Sequence, residues 1–405
     1  MATGDQCELD WMNPTNPLAF RPPQDCKQGS VPNFYIDVRS ANDIVAALKF
    51  SKSTGVRLVV KKLGLLSHNP RFVPAGCSLK MVPQSAVTYA AGSQFQEVYQ
   101  FAYDHNLTLV GGSDQSVGAA GGWHQGGGHS PLSPTLGMGA DRALQYKIVT
   151  PDGVLRTANA CQNSDLFWAL RGGGGGTFGV VLELTAKATP AHSYQVANIN
   201  WPVTNANLRQ VMSVYIDNAT MLAKQGWGGY LTPTEGNIIL INSKLSTKQA
   251  QESMHALISL TQKLGGVSNV TQVPTFLDWF NEWVGGVAGD QDSIGLPIAM
   301  GSRLIPQANH ALQKAEHSSW KPCSTPLIVL LFPIIVNPMW RTSLYHNEAA
   351  VHEPNYQSSF WNSKYQRLLQ IKNKYDPERV FDCWQCGKGN HWMEGQNSPQ
   401  YKCYI

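Results

Sequence analysis

Charged residues are scarce in this chain. Asp, Glu, Lys and Arg together make up only 14% of its 405 residues, and the net charge of +4 is spread over the whole length. Because Lys and Arg form no cluster, we predict no nucleic-acid partner. The apolar run 327–336 is too short to span a bilayer, so no membrane contact is predicted either. These absences leave a folded globular protein, and the chain length favours two domains.

The sequence also shows no motif of a secretory signal peptide or of a metal site. The amino terminus carries neither a basic segment nor an apolar one, so no signal peptide is visible. Three N-x-[ST] sequons, at Asn106, Asn218 and Asn269, occur at about the density that chance gives. Cys383 and Cys386 form a C-x-x-C without a second close Cys or His pair, which favours a disulfide or buried thiols over zinc.

Glycine, by contrast, is abundant and concentrated in two segments. We call residues 111–130 the first glycine run and residues 172–181 the second, which opens with consecutive glycines at 172–176. Glycine loses more backbone freedom on folding than any other residue, so such runs are costly unless the backbone must approach something closely. A flexible linker is the alternative, but both runs border apolar segments. We therefore predict that both runs wrap one large polyanionic ligand in a shared crevice.

Common phosphate-binding motifs do not account for these runs. The sequence contains no G-x-x-x-x-G-K-[ST], which excludes a P-loop NTPase. The segment 137–142 begins like a Rossmann turn but lacks the third glycine at the required place. A different kind of cradle is therefore expected.

Strands and helices alternate in the amino-terminal part of the chain. Ser40 reads as the cap of a helix that places Ile44, Ala47 and Leu48 on one face and stops at Gly55. This alternation indicates α/β units in this part of the chain. Strands are predicted at 34–38, 56–60, 87–91, 107–110, 144–157 and 178–188, with helices at 95–105 and 165–171.

The pattern changes after residue 194. Segments 228–231 and 238–241 read as strands joined by a turn, which suggests an antiparallel sheet. The amphipathic segment 248–264 reads as a helix with Thr247 as its cap and Gly265 past its end. This part of the chain is predicted to be a sheet with helices on one face.

Several motifs resemble those of a known family. They are GAAGGWHQGGGHSPLS at 118–133, GMGAD at 137–141, VTPDGVL at 149–155, GGGGGTFGVV at 172–181 and KNKYDP at 372–377. In wording and order they resemble the FAD-linked oxidases of berberine-bridge-enzyme type, which are vanillyl-alcohol-oxidase-like proteins with a PCMH-type FAD-binding domain. Fungal members are the most similar. The resemblance covers most of residues 7–190 and 340–390 and is weaker between them.

The resemblance implies an α+β fold. A two-part PCMH-type FAD-binding domain would be joined to a substrate domain made of an antiparallel sheet with helices on one face. The implied boundaries are 1–192 for the FAD-binding domain, 193–345 for the substrate domain and 346–405 for a carboxyl-terminal segment that returns to the FAD-binding domain.

The resemblance also implies which residues hold FAD. Gly179 and Val180 would offer main-chain contacts, Asp141 would fix the loop, and the side chain of Asn347 would face the flavin ring. His129 would either contact the flavin or make a structural hydrogen bond. No catalytic residue is assigned, although His346 and Glu348 are candidates for an acid or base. The glycines that would approach the cofactor are Gly118, Gly121, Gly122, Gly126, Gly127 and Gly128.

Departures from the family pattern bear on how the flavin is held. Leu65 stands where relatives carry the histidine that bonds covalently to the flavin, and His68 would replace it only if residues were inserted. The first glycine run has no cysteine for a second attachment. We therefore predict that FAD is bound non-covalently. Two parts of the family pattern have no match in this sequence. One is an upstream segment of the flavin domain, and the other is a stretch of several dozen residues that relatives have between the positions of Trp340 and Asn347. We therefore expect a truncated member.

The resemblance implies an FAD-dependent oxidoreductase that oxidises a small organic substrate with molecular oxygen as acceptor. A tailoring step in fungal secondary-metabolite biosynthesis is the first expectation, and a carbohydrate (oligosaccharide) oxidase is the close alternative. A third possibility is a non-redox isomerase or cyclase, or an inactive binding protein, on the same fold. Because family members are often secreted or vesicular, we suspect the same of this chain.

Overall fold

The computed structural model describes residues 34–284, apart from 57, 59–65 and 79, and residues 355–381. Two antiparallel sheets form its frame. The strands of the first sheet are β1 (Leu66–Phe72), β2 (Gln84–Ala90), β4 (Ala143–Val149), β5 (Leu155–Asn159) and β6 (Val180–Lys187). They lie in the order β1-β2-β6-β4-β5. A separate short ladder joins β3 (Leu107–Thr108) to β7 (Thr189–Pro190).

The first helix, α1 (Ala41–Thr54), forms where the sequence predicts it. The side chain of Ser40 accepts from the N–H of Asp43, and the Asp43 carboxylate accepts from the N–H of Ser40. Gly55 ends the helix at φ 73°, a left-handed conformation that glycine adopts without strain. The buried residues of this helix are the predicted Ile44, Ala47 and Leu48.

The strand predicted at 34–38 is wrong. These residues lie outside any sheet, and Phe34 and Tyr35 are 90% and 91% exposed. Strand propensity reflects packing against neighbouring strands, and none of the described strands pairs with this segment. Most of the predicted strand 56–60 falls outside the described residues.

The strands of the first sheet all pair antiparallel, so the described part of the chain contains none of the parallel units that α/β alternation usually builds. The predicted strand 144–157 is in fact two strands, β4 and β5. Gly153, at φ 79°, turns the chain between them, and its N–H donates to the carbonyl of Thr150 at 2.8 Å. Local alternation of strands and helices therefore does not fix strand direction.

Strand β1 is missing from the sequence-based prediction. It contains Asn69 and Pro70, and both residue types are depleted in strands. The strand lies at the edge of the sheet, and its register against β2 shifts between Asn69 and Phe72. Pro70 lies in that irregular stretch, where its missing N–H breaks no regular ladder.

The main core lies between the first sheet and helix α2 (Phe95–Asp104), which forms as predicted. Phe95 stacks on Tyr99 with ring centroids 5.4 Å apart and meets the edge of Trp123 at 4.8 Å. Trp123 belongs to the first glycine run, so this run is anchored in the core through a large aromatic ring.

The second sheet has the strands β8 (Tyr194–Asn200), β9 (Gly228–Thr232), β10 (Asn237–Asn242) and β11 (Asn269–Val273), in the order β11-β8-β10-β9. One face packs on helices α6 (Asn205–Gln225) and α7 (Thr247–Lys263), which confirms the predicted sheet with helices on one face. The cap of α7 is Ser246 rather than the predicted Thr247. Ser246 and Gln249 form a capping box, the S-x-x-Q signature that places the cap one residue earlier.

The reverse face of the second sheet joins the main core. Alternate residues of β8 and β10, such as Val196 and Ile241, point into the cluster that also holds the aromatic residues of helix α8 (Phe276–Trp283). The predicted domain boundary at 192 falls between β7 and β8 and stays a prediction. Within the described residues, no helix is long and apolar enough to cross a bilayer.

The carboxyl-terminal part of the described chain contains a π-helical turn (Gln357–Trp361) and helix α9 (Tyr365–Tyr375). Helix α9 packs against helix α5 (Ser164–Ala169), the short helix that precedes the second glycine run. Lys374 and Tyr375 both bond the carboxylate of Asp165 on α5, at 2.6 and 3.0 Å. This segment therefore lies directly beside the second glycine run.

A disulfide joins Cys77 to Cys161, with their Cα atoms 5.3 Å apart. It ties the loop before β2 to the loop after β5, which are 84 residues apart in sequence. The predicted disulfide or buried thiols at Cys383 and Cys386 lie outside the described residues.

Candidate functional site

The two glycine runs lie directly against each other. The N–H groups of Gly172 and Gly174 both donate to the main-chain carbonyl of Gln125, each at 2.9 Å. A Cβ added to Gly175 would lie 2.7 Å from the Cα of Gly122, closer than real Cβ contacts allow. The structure thus brings the predicted Gly122 of the first run onto the second run, and the absence of side chains permits this contact.

Within the described residues, the first run has open space beside part of its backbone. An added Cβ at Gly118 or Gly121 would meet no described atom closer than the carbonyl oxygen of Ala91, at 4.0 and 3.9 Å. Packing within the protein therefore does not exclude a larger side chain at these two positions. Gly118 has φ of −67° and ψ of 115°, which any residue adopts. A ligand that approaches the backbone closely therefore accounts for glycine at this position, so the cradle fits a dinucleotide such as FAD.

At other positions of the site, contacts or backbone conformation within the protein explain why the residue is glycine. Gly127 and Gly128 have φ of 123° and 70°, and a Cβ on Gly128 would lie 2.7 Å from the Trp123 ring. Gly179, at φ 149°, would place a Cβ 2.4 Å from the carbonyl oxygen of Val149. Gly126 continues the turn, donating its N–H to the Gly122 carbonyl at 2.8 Å. Gly127, Gly128 and Gly179 thus have a conformational or packing reason to be glycine, and the contact of these residues with FAD stays a prediction.

The predicted Asp141 fixes the loop that follows the first run. It lies in a short helix, α4 (Gly139–Arg142), which follows the one-turn helix α3 (Ser133–Leu136). Its carboxylate accepts from the N–H of Met138 at 2.9 Å. That helix is tied back to the run, because the N–H groups of Gly139 and Ala140 donate to the carbonyls of Gly128 and Gly127 at 2.7 and 2.9 Å.

The other predicted site residues are placed as follows. His129 is buried within the first run, 6% exposed. Val180 begins β6, packs beside Ile44 and Leu48, and pairs with Val149. Asn347, together with the flanking His346 and Glu348, lies outside the described residues, as does Leu65.

Sequence reasoning missed His124. This residue is 1% exposed, its Nδ1 lies 2.5 Å from the Ala119 carbonyl oxygen, and its Nε2 lies 3.1 Å from the Tyr89 hydroxyl. A carbonyl only accepts, so Nδ1 carries the hydrogen and Nε2 accepts from Tyr89. Burial lowers the pKa of His124 to about 4, so the ring is neutral near pH 7. The residue fixes the π-helical turn Ala119–Trp123, which contains Gly121 and Gly122.

The described residues contain no group of three or more His, Cys, Asp or Glu side chains that could hold a metal ion. His68, the displaced equivalent considered for flavin attachment, lies on β1. Its Nε2 is 3.0 Å from the Ser85 hydroxyl and its ring lies against His105. Neither of these partners belongs to a glycine run.

Comparison with known proteins places these features in a family. The family model described as FAD binding domain matches residues 78–159, and the one described as Berberine and berberine like matches residues 344–385. The FAD-linked oxidoreductase OXR2 of Pyricularia oryzae is 32% identical over 462 aligned positions, covering 93% of this chain and 77% of the relative. The FAD-linked oxidoreductase phmC of Phaeosphaeria nodorum is 37% identical, covering 79% of this chain and 77% of the relative.

Solved structures agree on the fold. The VAO-type flavoprotein MtVAO615 from Myceliophthora thermophila C1 matches with a TM-score of 0.74 and 23% identity, covering 91% of this chain and 82% of that one. A glucooligosaccharide oxidase from Acremonium strictum matches with a TM-score of 0.64 and 17% identity, covering 87% and 90%. The chain therefore belongs to the FAD-linked oxidases of berberine-bridge type, and it is an oxidoreductase whose cofactor is FAD.

Proposed function

We propose that this protein is an oxidase that acts on a small organic molecule with molecular oxygen as acceptor, as a tailoring step in fungal secondary metabolism. The two glycine runs would hold FAD, which when bound would supply the redox chemistry for hydride removal from the substrate and electron transfer to oxygen. The observation that carries the proposal is the contact between the two glycine runs, which leaves open backbone at Gly118 and Gly121. Support for the fungal tailoring role comes from the relatives named FAD-linked oxidoreductases, at 32% and 37% identity.

The residues of the chain have distinct parts in this proposal. Gly118 and Gly121 keep the cofactor side of the first run free of side chains, and the Gln125 carbonyl holds the second run against it. The Tyr89–His124 pair fixes the turn that carries Gly121. Trp123 anchors the run in the core.

We also propose that FAD is held without a covalent bond. The glucooligosaccharide oxidase of Acremonium strictum, by contrast, has a 6-S-cysteinyl, 8α-N1-histidyl FAD. Here Leu65 stands at the histidine position, and the first run contains no cysteine. His68 bonds Ser85 and contacts His105. Acid precipitation of purified protein tests this: yellow colour should stay in the supernatant, and a yellow pellet would contradict the proposal.

Acceptor and substrate are tested separately. Holoenzyme mixed with candidate small-molecule alcohols should release hydrogen peroxide in step with oxygen uptake. Turnover with an artificial electron acceptor but no peroxide in air would instead indicate a dehydrogenase. The rival oligosaccharide oxidase would give peroxide with cello- or chito-oligosaccharides, since oxidases of glucooligosaccharides and chitooligosaccharides share the fold at 16–17% identity. Protein that binds no FAD at all would support the non-redox alternative.

We further propose that the chain matures in an oxidising compartment of the secretory pathway. The Cys77–Cys161 disulfide supports this, because disulfides form and persist in such compartments and are rare in the cytosol. Protein purified with its thiols trapped by alkylation should show Cys77 and Cys161 unlabelled. Alkylated thiols at both positions would contradict the proposal.

A further inference from the structure

The carboxyl-terminal segment holds the five consecutive glycines that open the second run, residues 172–176, on both sides. At their start, the indole N–H of Trp361 donates to the carbonyl of Gly172 at 2.9 Å. Directly after them, the amine of Lys372 donates to the carbonyl of Thr177 at 2.6 Å. We propose that Trp361 and Lys372 are positioning residues that fix this run in the conformation that receives FAD. The inference rests on the FAD-binding role of the two runs.

The run has a physical need for such support. Gly172, Gly174 and Gly176 have φ of 122°, 99° and 66°, and the other two residues of the stretch are also glycine. A stretch without side chains has many accessible conformations, and a ligand that orders it must supply the lost entropy from its binding energy. Contacts that order the stretch beforehand therefore raise the affinity for that ligand.

The first run and the carboxyl-terminal segment hold this stretch from two sides. Gly172 donates its N–H to Gln125 of the first run and accepts from Trp361 through its carbonyl. At Gly173 an added Cβ would lie 2.9 Å from Leu368 on helix α9 and 2.4 Å from the Ala169 carbonyl oxygen. The glycines thus run between two fixed surfaces.

The charged amine of Lys372 is buried, and its hydrogen-bond partners fix its position. Lys372 and Asp376 have side chains only 2% and 0% exposed, and Nζ lies 2.5 Å from the Asp376 carboxylate. The amine also donates to the carbonyl of Phe381, so its three hydrogens have three acceptors. The Asp376 carboxylate in turn accepts from the N–H groups of Val380 and Phe381, at 2.9 and 3.0 Å.

This buried pair points to a role other than stability. A buried ion pair loses much of its attraction to the desolvation of both charges, so an apolar pair of similar volume often stabilises a protein as well or better. An apolar pair cannot, however, donate a hydrogen bond to the Thr177 carbonyl. The charge-assisted bond from Lys372 to the second run is what an apolar replacement would remove.

The test separates folding from positioning. Lys372→Met should lower both the melting temperature of the apoprotein and its affinity for FAD, measured by fluorescence titration of the full chain. The double variant Lys372→Met/Asp376→Asn removes the uncompensated charge and keeps an amide oxygen as an acceptor for the N–H groups of Val380 and Phe381. It should regain part of the melting temperature yet still bind FAD about tenfold more weakly, the factor expected for one lost charge-assisted hydrogen bond. Full recovery of both quantities would overturn the proposal.

A matched control lies on the same helix. Lys374 is largely exposed and pairs with Asp165, so Lys374→Met should leave FAD affinity unchanged. If Lys374→Met weakened FAD binding as much as Lys372→Met does, any change on this helix would lower the affinity. That result would overturn the proposed role of Lys372. Wild-type protein that binds no FAD would instead overturn the function of both runs.

A second variant keeps the proposal testable if the double variant does not fold. Trp361→Phe removes the indole N–H and keeps a buried ring, so the fold should persist while FAD affinity falls several-fold. Trp168→Phe is its control, because Trp168 packs under the Arg367 guanidinium rather than bonding the run. Amide hydrogen exchange at residues 172–177 of the apoprotein should be faster in Trp361→Phe only. Unchanged exchange and affinity in Trp361→Phe would contradict the inference.

Discussion

Tyr89 donates its hydroxyl hydrogen to Nε2 of His124 across 3.1 Å, and the opposite ring nitrogen donates to the carbonyl of Ala119. Burial raises the pKa of Tyr89 well above its usual value and lowers that of His124 to about 4. Both groups are therefore neutral near pH 7, and their hydrogen bond has one direction. Strand β2 thus fixes the π-helical turn of the first glycine run through two buried side chains.

Removing the Tyr89 hydroxyl should destabilise the protein. Tyr89→Phe leaves the buried Nε2 of His124 without its donor, and an unsatisfied buried acceptor costs about 1–3 kcal/mol. Urea denaturation of the apoprotein measures this loss. Tyr103→Phe is the control, because Tyr103 lies on α2 and is 46% exposed. Equal stability of the two variants would show that the Tyr89–His124 bond contributes nothing.

His124 should make stability depend on pH. In the unfolded chain this histidine binds a proton below its usual pKa of 6.5, whereas the buried ring does so only near 4. Its contribution is therefore complete above about pH 6.5 and is lost as the pH falls towards 4, with a slope of up to about 1.4 kcal/mol per pH unit. His124→Asn keeps a donor for Ala119 but does not titrate. The difference in unfolding free energy between wild type and this variant should shrink from pH 7 to pH 4, and a constant difference would contradict the assignment.

A substitution at Gly118 can distinguish an effect on FAD binding from an effect on protein stability. The φ of −67° and ψ of 115° at Gly118 suit any residue, and within the described residues an added Cβ has no neighbour closer than 4.0 Å. Gly118→Ala should leave the stability of the apoprotein within about 1 kcal/mol of wild type and weaken FAD binding at least about tenfold. Gly128→Ala should instead destabilise the apoprotein itself, because its Cβ would strike Trp123. Unchanged FAD affinity in Gly118→Ala would remove this position from the cofactor cradle.

The three sequons should differ in glycosylation when the chain is expressed through the secretory pathway of a eukaryotic host. Asn106 lies exposed in a turn and Asn269 lies exposed on edge strand β11, so both are expected to carry glycans. The amide of Asn218 donates to the Val214 carbonyl within helix α6 at 2.8 Å, so it should stay unmodified. Peptide mass spectrometry after glycosidase treatment in heavy-oxygen water distinguishes the sites. A glycan at Asn218 with none at the other two would reverse this expectation.

Local patterns predicted much of the fold. The Ser40 cap and Gly55 stop set the bounds of α1 because capping depends on residues that are adjacent in the chain. The two short segments 228–231 and 238–241 and the turn between them predicted β9 and β10, which pair as predicted. The error at Thr247 was one residue, and the capping box at Ser246 carries the signal that corrects it.

Relationships between distant residues were not predictable. Nothing local indicates that Lys372 bonds Thr177, 195 residues away, or that Cys77 pairs with Cys161. In the sequence His124 is one polar residue in a loop. Its structural role depends on a hydrogen bond from Tyr89, which lies on strand β2. The contact of the two glycine runs is different, because their composition indicated a shared ligand and the structure places them together through Gln125.

The most direct measurement of the central claim is the visible absorption spectrum of purified full-length protein, before and after addition of FAD and removal of the excess. If Gly118, Gly121 and the second run form a cofactor cradle, the protein should show the two bands of oxidised flavin, near one flavin per chain, and should bleach on reduction with dithionite. A colourless protein that retains no FAD after the addition, while remaining folded, would contradict the account.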